Sequence, residues 1–106
     1  MTAYALAHLR SVDLNDEVEQ YLRAIDDTLP AYGGAFLVHG SVPEVLEGDA
    51  PGALVLIGFP DLERARAWYA SPAYQAILPL RTRNATGIAV LLDGVPPGYR
   101  AASLVA

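Results

Sequence analysis

A helix that stops and restarts is predicted by the stretch Trp68-Tyr69-Ala70-Ser71-Pro72-Ala73-Tyr74-Gln75. Ser71 is a residue type that caps helix N-termini, and Pro72 suits the first helical position because no backbone N–H is needed there. The stretch follows Ala53-Leu54-Val55-Leu56-Ile57-Gly58-Phe59-Pro60, an apolar run that predicts a buried strand. Large aromatic side chains are therefore expected where a helix breaks, shortly after a strand.

Two further strands and an amphipathic helix are predicted before this apolar run. Residues 4–12 alternate weakly and carry apolar groups on both faces, which indicates a strand covered on two sides. A helix follows, and its apolar stripe consists of Val18, Leu22, Ile25 and Leu29. Pro30 and Gly33-Gly34 end that helix. The next strand is predicted over residues 35–40 and, after a kink, through 45–47.

Downstream of the apolar run, helices are predicted over residues 62–69 and 73–82, and we expect Pro79 to bend or shorten the second. After a turn at 84–87, a fourth strand is predicted over residues 88–92. Strand, helix, strand, strand, helix and strand in that order predict an α+β, ferredoxin-like βαββαβ fold. Its four-stranded antiparallel sheet should have the order 4-1-3-2, with the helices on one face only.

The composition indicates that a second copy covers the other face of the sheet. With 106 residues the chain has the length of one domain, which we assign to residues 1–95, and 96–106 are interpreted as a C-terminal tail. Hydrophobic residues make up 53% and charged residues 18%, which is more apolar surface than a small domain needs. We therefore expect a homodimer whose sheets close face to face into a dimeric α/β barrel.

Several classes of protein are excluded or disfavoured by the same composition. The formal net charge of -5 argues against a nucleic-acid partner, since phosphate binding needs a basic surface. No cysteine is present, which excludes disulfides, thiolate catalysis and sulfur-ligated metals. The longest apolar run, Ala53–Phe59, is too short to cross a membrane, and residues 1–10 do not resemble a signal peptide. A cytoplasmic location without a membrane partner is expected.

Four blocks of the sequence are similar, in order and spacing, to one known family. They are Tyr32-Gly33-Gly34-Ala35-Phe36-Leu37-Val38, Val45-Leu46-Glu47-Gly48, Val55-Leu56-Ile57-Gly58-Phe59-Pro60 and Ala67-Trp68-Tyr69-Ala70-Ser71-Pro72-Ala73-Tyr74-Gln75. In these blocks the chain resembles the DUF1330 family of the dimeric α/β-barrel superfamily. The resemblance implies a ferredoxin-like protomer, a barrel-forming homodimer and a cavity between sheet and helices, but no particular reaction. The chain differs at His39, where such proteins often carry arginine.

One histidine and several aromatic and charged side chains are the candidates for a functional site. His39 is the candidate catalytic acid or base, because an imidazole titrates near neutral pH, and a purely structural histidine is the alternative. The candidate ligand-binding residues are Tyr32, Glu47, Trp68, Tyr69, Tyr74 and Arg81. Structural roles stay open for them: Trp68 as an anchor between helix and sheet, Glu47 as a solvated turn residue, and Arg81 as a partner of the helix dipole.

Neither a cofactor nor a metal is expected. The glycines form no phosphate-binding motif, and His8 and His39 lack the spacing of a metal site. Ser71 is interpreted as a helix cap, because no Gly-x-Ser-x-Gly surrounds it. The leading hypothesis is a homodimer that binds a small organic metabolite; any reaction it catalyses is expected to be cofactor-independent acid–base chemistry. The alternative is a non-catalytic metabolite-binding or structural dimer module.

Overall fold

The computed structural model describes residues 1–105. Its main elements, in chain order, are β1 (Ala3–Val12), α1 (Asp16–Thr28), β2 (Ala35–Ser41), β3 (Ala53–Phe59), α2 (Leu62–Ala70), α3 (Pro72–Thr82) and β4 (Ala85–Asp93). The four strands form one antiparallel sheet in the order β2-β3-β1-β4. The predicted βαββαβ architecture and strand order are confirmed, with the second helix of the pattern divided into α2 and α3.

The second strand is shorter than predicted. It ends at Ser41, and the expected continuation through residues 45–47 is wrong, since 42–52 contain no strand. Gly40 adopts a left-handed φ of 73°, and the pairing between β2 and β3 shifts register beside it. Pro43 follows two residues after the strand and has no N–H to continue the ladder. The backbone therefore leaves the sheet before Glu47.

The last strand begins earlier than predicted. Residues 85–87 were expected in a turn, yet β4 starts at Ala85, because β1 runs to Val12 and pairs with it there. Gly87 makes this approach possible, since a Cβ at that position would lie 1.9 Å from the His8 carbonyl oxygen. Within the predicted tail, Ala101–Leu104 form a short 3-10 helix.

Helix α1 begins at a side-chain cap and buries a face centred on a tyrosine. The Asn15 side chain accepts a hydrogen bond from the Val18 backbone N–H at 3.0 Å, which satisfies one of the free N–H groups of the first turn. The buried residues of the helix are Val18, Tyr21, Ile25 and Thr28. Leu22, which the predicted stripe includes, is 38% exposed. The buried face is therefore rotated relative to the prediction.

The break between α2 and α3 is confirmed at Ser71. Ser71 has extended backbone angles; its hydroxyl accepts from the Tyr74 backbone N–H at 3.3 Å and donates to the Trp68 carbonyl at 2.7 Å. Pro72 occupies the first turn of α3, as predicted. Pro79 does not shorten α3, which runs to Thr82. The φ angle of proline is compatible with a helix, and Pro79 lies on the exposed side of α3. Water can therefore hydrogen-bond to the backbone carbonyl that lacks a partner because proline has no N–H.

The hydrophobic core lies between the helices and one face of the sheet, at the end where β3 leads into α2. Phe59 is only 2% exposed, and its ring centroid lies 5.3 Å from that of Trp68. Gly34 packs directly against the Phe59 ring, because a Cβ at position 34 would lie 2.7 Å from a carbon atom of that ring. The helix-ending glycine pair therefore also allows the chain to approach the core closely.

The opposite face of the sheet is apolar as well, as predicted. Ala5 of β1 packs towards the helices, so Leu6 points away from them. Leu6 lies between Leu56 of β3 and Val90 of β4. Apolar residues of this outer face with large open surfaces are Leu37, Ile88 and Leu92, at 56%, 60% and 45% exposure. The helices cover one face of the sheet and leave the other uncovered in the single chain.

Across residues 1–105, no helix is both long and apolar enough to span a lipid bilayer.

Candidate functional site

A cavity of about 630 Å³ lies between α1 and the helix-facing side of the sheet. Small side chains of β1 and β4 form the centre of its floor, where Ala7 pairs with Val55 on one side and Ala89 on the other. Apolar residues of α1 form the roof, which consists of Val18, Tyr21, Leu22 and Ile25. Because alanine side chains end at Cβ, they leave open volume beneath α1 where larger residues would fill the gap.

Polar contacts with α2, α3 and the turn after α3 hold α1 at three places along its length. At its start, the Glu17 carboxylate accepts hydrogen bonds from Arg83 and from Asn84. In the middle, the Tyr21 hydroxyl bonds to the Tyr74 hydroxyl of α3, and at the end the Thr28 hydroxyl accepts a hydrogen bond from Trp68 of α2. The helix is therefore attached sideways to its helical neighbours, above the open space over the sheet.

Three aromatic side chains form one wall of the cavity: Trp68, Tyr69 and Tyr74. The Trp68 and Tyr74 ring centroids are 4.1 Å apart, and those of Tyr69 and Tyr74 are 5.6 Å apart. On an unbroken helix, positions six residues apart would point roughly 120° away from each other. The break at Ser71 lets Trp68 and Tyr74 both face inwards. Both are almost fully buried, whereas Tyr69 is 38% exposed.

One end of the cavity carries two phenols and a cation. The hydroxyls of Tyr21 and Tyr74 are 2.8 Å apart and hydrogen-bonded. The Arg81 guanidinium carbon lies 5.9 Å from the centroid of the Tyr21 ring, in the range of a cation–π contact. Burial raises the pKa of Tyr21 far above its usual range, and the neighbouring Tyr74 phenol raises it further. This phenol therefore stays neutral and able to donate a hydrogen bond at neutral pH.

Arg81 keeps its positive charge although its side chain is half-buried. Burial lowers the pKa of the guanidinium, but the phenols of Tyr74 and Tyr21 together raise the pKa by more. No Asp or Glu is among the residues that line the cavity. The polar end of the cavity is therefore positively charged and rich in hydrogen-bond donors.

The two histidines lie on opposite faces of the sheet. His39 of the edge strand β2 pairs with Val55, lines the cavity and stacks obliquely on Phe36, with ring centroids 4.8 Å apart. His8 pairs with Leu54, the neighbour of Val55, and so points away from the cavity. Its Nε2 donates a hydrogen bond to the Pro51 carbonyl at 2.7 Å. His39 is thus the histidine with access to the cavity.

The structure gathers five of the predicted site residues around this cavity and leaves two outside it. The five are His39, Trp68, Tyr69, Tyr74 and Arg81. Tyr32 is half-buried in the short 3-10 helix Pro30–Tyr32 and packs against the core. Glu47 is exposed in the segment 42–52, because β2 ends before it. Within residues 1–105, no three His, Asp or Glu side chains are grouped so that they could hold a metal ion.

Two residues of this region were missed by the sequence analysis. Tyr21 lies at the polar end of the cavity, and Thr28 accepts a hydrogen bond from the Trp68 indole N–H at 2.9 Å. Together with Val18 and Ile25 they follow spacings of three, four and three along α1, which is a helical period. That spacing is the signal in the sequence, but the polar tips of Tyr21 and Thr28 make the purely aliphatic stripe the more apolar one.

The family model described as "Domain of unknown function (DUF1330)" matches residues 2–95 of the chain. The chain belongs to this family. A comparison with curated proteins gave no significant match. The DUF1330 assignment confirms the resemblance noted in the four sequence blocks.

Solved structures with the same fold support the architecture. A dimeric ferredoxin-like protein of unknown function from Jannaschia sp. CCS1 matches with a TM-score of 0.69 at 15% identity, over 89% of this chain and 100% of its own. A protein of unknown function from Rhodopseudomonas palustris matches with a TM-score of 0.65 at 15% identity, over 91% and 84%. A Nitrosomonas europaea protein, named for an inferred role as an antibiotic biosynthesis monooxygenase, matches with a TM-score of 0.59 at 14% identity, over 91% and 92%. At these identities the likeness shows the fold.

Proposed function

We propose that this protein is a homodimer that binds a small, partly apolar organic molecule between α1 and the sheet. The observation that carries the proposal is the cavity of about 630 Å³, which is apolar over most of its wall and has donors at one end. Its volume lies within the range of small-molecule sites, roughly 300–1,000 Å³. Apolar walls would bind the body of the ligand, and the few polar groups would orient it.

The homodimer is supported by the uncovered outer face of the sheet. Its apolar residues Leu37, Ile88 and Leu92 are half exposed or more in the single chain. Contiguous apolar surface of this kind is rarely left open in a stable protein. A second copy packed on this face would cover it with the same residues by twofold symmetry. The Jannaschia protein with this fold is described as dimeric.

A cofactor-independent acid–base reaction is the second candidate, and the position of His39 favours it. This side chain lines the same cavity as Tyr69 and Tyr74. In such a reaction the imidazole would accept a proton from an activated carbon of the ligand, and the phenols would orient the ligand by hydrogen bonds. The fold is shared with the Nitrosomonas europaea protein named for oxygenation chemistry, but a shared fold is compatible with many reactions.

Binding is tested by thermal shift of the purified protein against a panel of phenolic and enolic metabolites. We expect a subset to raise the unfolding temperature of the wild type. The matched control is Ala7→Leu, which adds three carbon atoms at the centre of the cavity floor and should abolish those shifts. Shifts of equal size in wild type and Ala7→Leu would contradict binding in this cavity, as would the absence of any shift across the panel.

Catalysis and simple binding are distinguished by two variants. For an enzyme, His39→Ala abolishes turnover of a metabolite identified by the thermal shift, while its affinity changes by less than about tenfold, or ~1.4 kcal/mol. Tyr74→Phe, which keeps the ring, should lower turnover to a smaller extent. A metabolite that binds the wild type and is recovered unchanged after long incubation would identify the protein as a non-catalytic binding module.

A further inference from the structure

Arg81 is a cation with no anionic partner in the part of the chain that the structure describes. The ion pairs within residues 1–105 are Arg23–Glu19, Arg64–Asp61 and Arg83–Glu17. Arg81 is half-buried, lines the cavity, and shares it with no carboxylate. A partly desolvated charge without a counter-charge is unfavourable, and an anion bound beside it would offset that cost.

The two phenols next to Arg81 have one hydroxyl hydrogen that is not used in a hydrogen bond within residues 1–105. A pair of hydroxyls carries two hydrogens, and the bond between Tyr21 and Tyr74 uses one of them. Whichever phenol accepts that bond keeps its own hydrogen free to donate elsewhere. The hydrogen bonds of this part of the structure include no further acceptor for either hydroxyl. One O–H donor and a guanidinium are thus available at the same end of the cavity.

We infer that Tyr21, Tyr74 and Arg81 form a binding site for the carboxylate of a small organic acid whose apolar body lies over the alanine floor. This inference rests on the proposed ligand-binding function and specifies its ligand class. A carboxylate has two acceptor oxygens, one for the guanidinium and one for the free phenol hydrogen. Tyr21 thereby acquires a role in binding, in addition to holding α1.

The remaining walls restrict the body of the acid. Beyond the polar end, the floor consists of Ala5, Ala7 and Ala89, and one wall is formed by the Trp68 and Tyr74 rings. None of these groups except the Tyr74 hydroxyl offers a strong hydrogen bond to the body of a ligand. His39 and Tyr69 are the other polar side chains of the lining that could contact the ligand. With so few of them, the acid should be a short aliphatic or aromatic one with a single charge, and not a sugar acid or a polycarboxylate.

The inference is tested with two probes of nearly identical shape, benzoate and the uncharged benzamide. Each is titrated into ¹⁵N-labelled protein, and binding is followed by chemical-shift changes of the Tyr74 and Arg81 backbone amides. We expect benzoate to bind at least about tenfold more tightly than benzamide, as a charge-assisted hydrogen bond implies. Arg81→Met should reduce benzoate affinity to that of benzamide, whereas Arg81→Lys should keep a preference for the anion.

Further variants test whether benzoate binding depends on the charge of Arg81 and on the two phenols. Arg66→Met removes the same charge from an exposed position of α2 and should leave benzoate affinity unchanged. Tyr21→Phe combined with Tyr74→Phe removes both hydroxyl donors and should weaken benzoate severalfold and benzamide less. Equal affinities for the two probes in the wild type would overturn the carboxylate site while the proposed binding function stands. If neither probe shifts the cavity resonances at any accessible concentration, both proposals fail for ligands of this size. If Arg81→Met does not fold, the wild-type comparison and Arg81→Lys still decide.

Discussion

The indole N–H of Trp68 donates a hydrogen bond to the Thr28 hydroxyl at 2.9 Å, and that hydroxyl in turn donates to the Ile25 carbonyl at 2.7 Å. The bond joins the end of α1 to α2 across 40 positions of sequence. Both Trp68 and Thr28 are buried. One hydroxyl thus satisfies a buried indole donor and fixes the far end of the cavity roof.

The first prediction concerns this contact. Thr28→Val keeps the shape of the side chain but leaves the buried indole N–H without its partner. We expect the free energy of unfolding to fall by about 1–3 kcal/mol, the usual cost of an unsatisfied buried donor. Denaturant unfolding followed by tryptophan fluorescence measures it. Thr82→Val, at the exposed end of α3, is the control and should change the free energy by less than about 0.5 kcal/mol. A loss at Thr28 no larger than at Thr82 would show that the hydrogen bond is unimportant for stability.

The second prediction concerns the phenol pair. Tyr21→Phe and Tyr74→Phe each remove one hydroxyl and leave the other without its bond at 2.8 Å. The two losses in the free energy of unfolding should therefore not add, and a double-mutant cycle should give a coupling of about 1 kcal/mol. Tyr99→Phe, in the residues that follow β4, serves as a control that removes a hydroxyl without this contact. Additive losses would contradict an energetic link between the two side chains.

The third prediction concerns acid stability. The Glu17 carboxyl accepts hydrogen bonds from the Arg83 guanidinium and the Asn84 amide. These bonds lower the pKa of the carboxyl in the folded state. A carboxyl with a depressed folded pKa stabilises the protein above its unfolded pKa, and this contribution is lost as the pH falls through the folded pKa. The wild type should therefore lose thermal stability as the pH falls below 4.5, the ordinary pKa of this carboxyl, and Glu17→Gln should lose less.

The measurement for Glu17 is the unfolding temperature as a function of pH, by circular dichroism. Glu19→Gln changes the same charge on the exposed side of α1, where its contact with Arg23 is long at 3.9 Å. That control should retain the acid dependence of the wild type. A pH profile of Glu17→Gln that overlays the wild-type profile would remove Glu17 from the explanation of acid sensitivity.

The fourth prediction concerns assembly. Val90 lies on the outer face of the edge strand β4, beside Leu6 of β1. Val90→Lys would place a charge in the proposed interface between two copies, where burying it is costly. Light scattering after size exclusion should give twice the 11.3 kDa chain mass for the wild type and the single mass for Val90→Lys. Ala73→Lys adds the same charge to α3 and should stay dimeric. A monomeric wild type at micromolar concentration would refute the proposed dimer.

Most of the fold was predictable because its signals are local. The apolar run of β3 and the cap and proline at Ser71 and Pro72 depend only on neighbouring residues, and the structure has both features. The end of β2 was mispredicted because apolar Val45 and Leu46 resemble a strand, although Leu46 is 89% exposed. Composition cannot show that the backbone has already left the sheet at Gly40.

The site was less predictable, because its geometry arises from contacts between distant parts of the chain. The aromatic residues beside the helix break were identifiable, but the cavity depends on how α1 is held above the sheet. The contacts that hold it join residues 40 to 67 positions apart. The alanines of the floor counted only as apolar residues in the sequence, whereas in the structure their small size leaves the open volume.

The helix break at Ser71 makes the site sensitive to the number of residues around it, and not only to their identity. One residue inserted between Ser71 and Tyr74 would turn the tyrosine by about 100° relative to its cap. Its hydroxyl would then leave Tyr21, and its ring would leave Trp68. Residues 44–49, in the segment after β2, are exposed and have no comparable constraint. In relatives of this protein, insertions and deletions should therefore accumulate between β2 and β3. They should be absent between the positions of Trp68 and Tyr74.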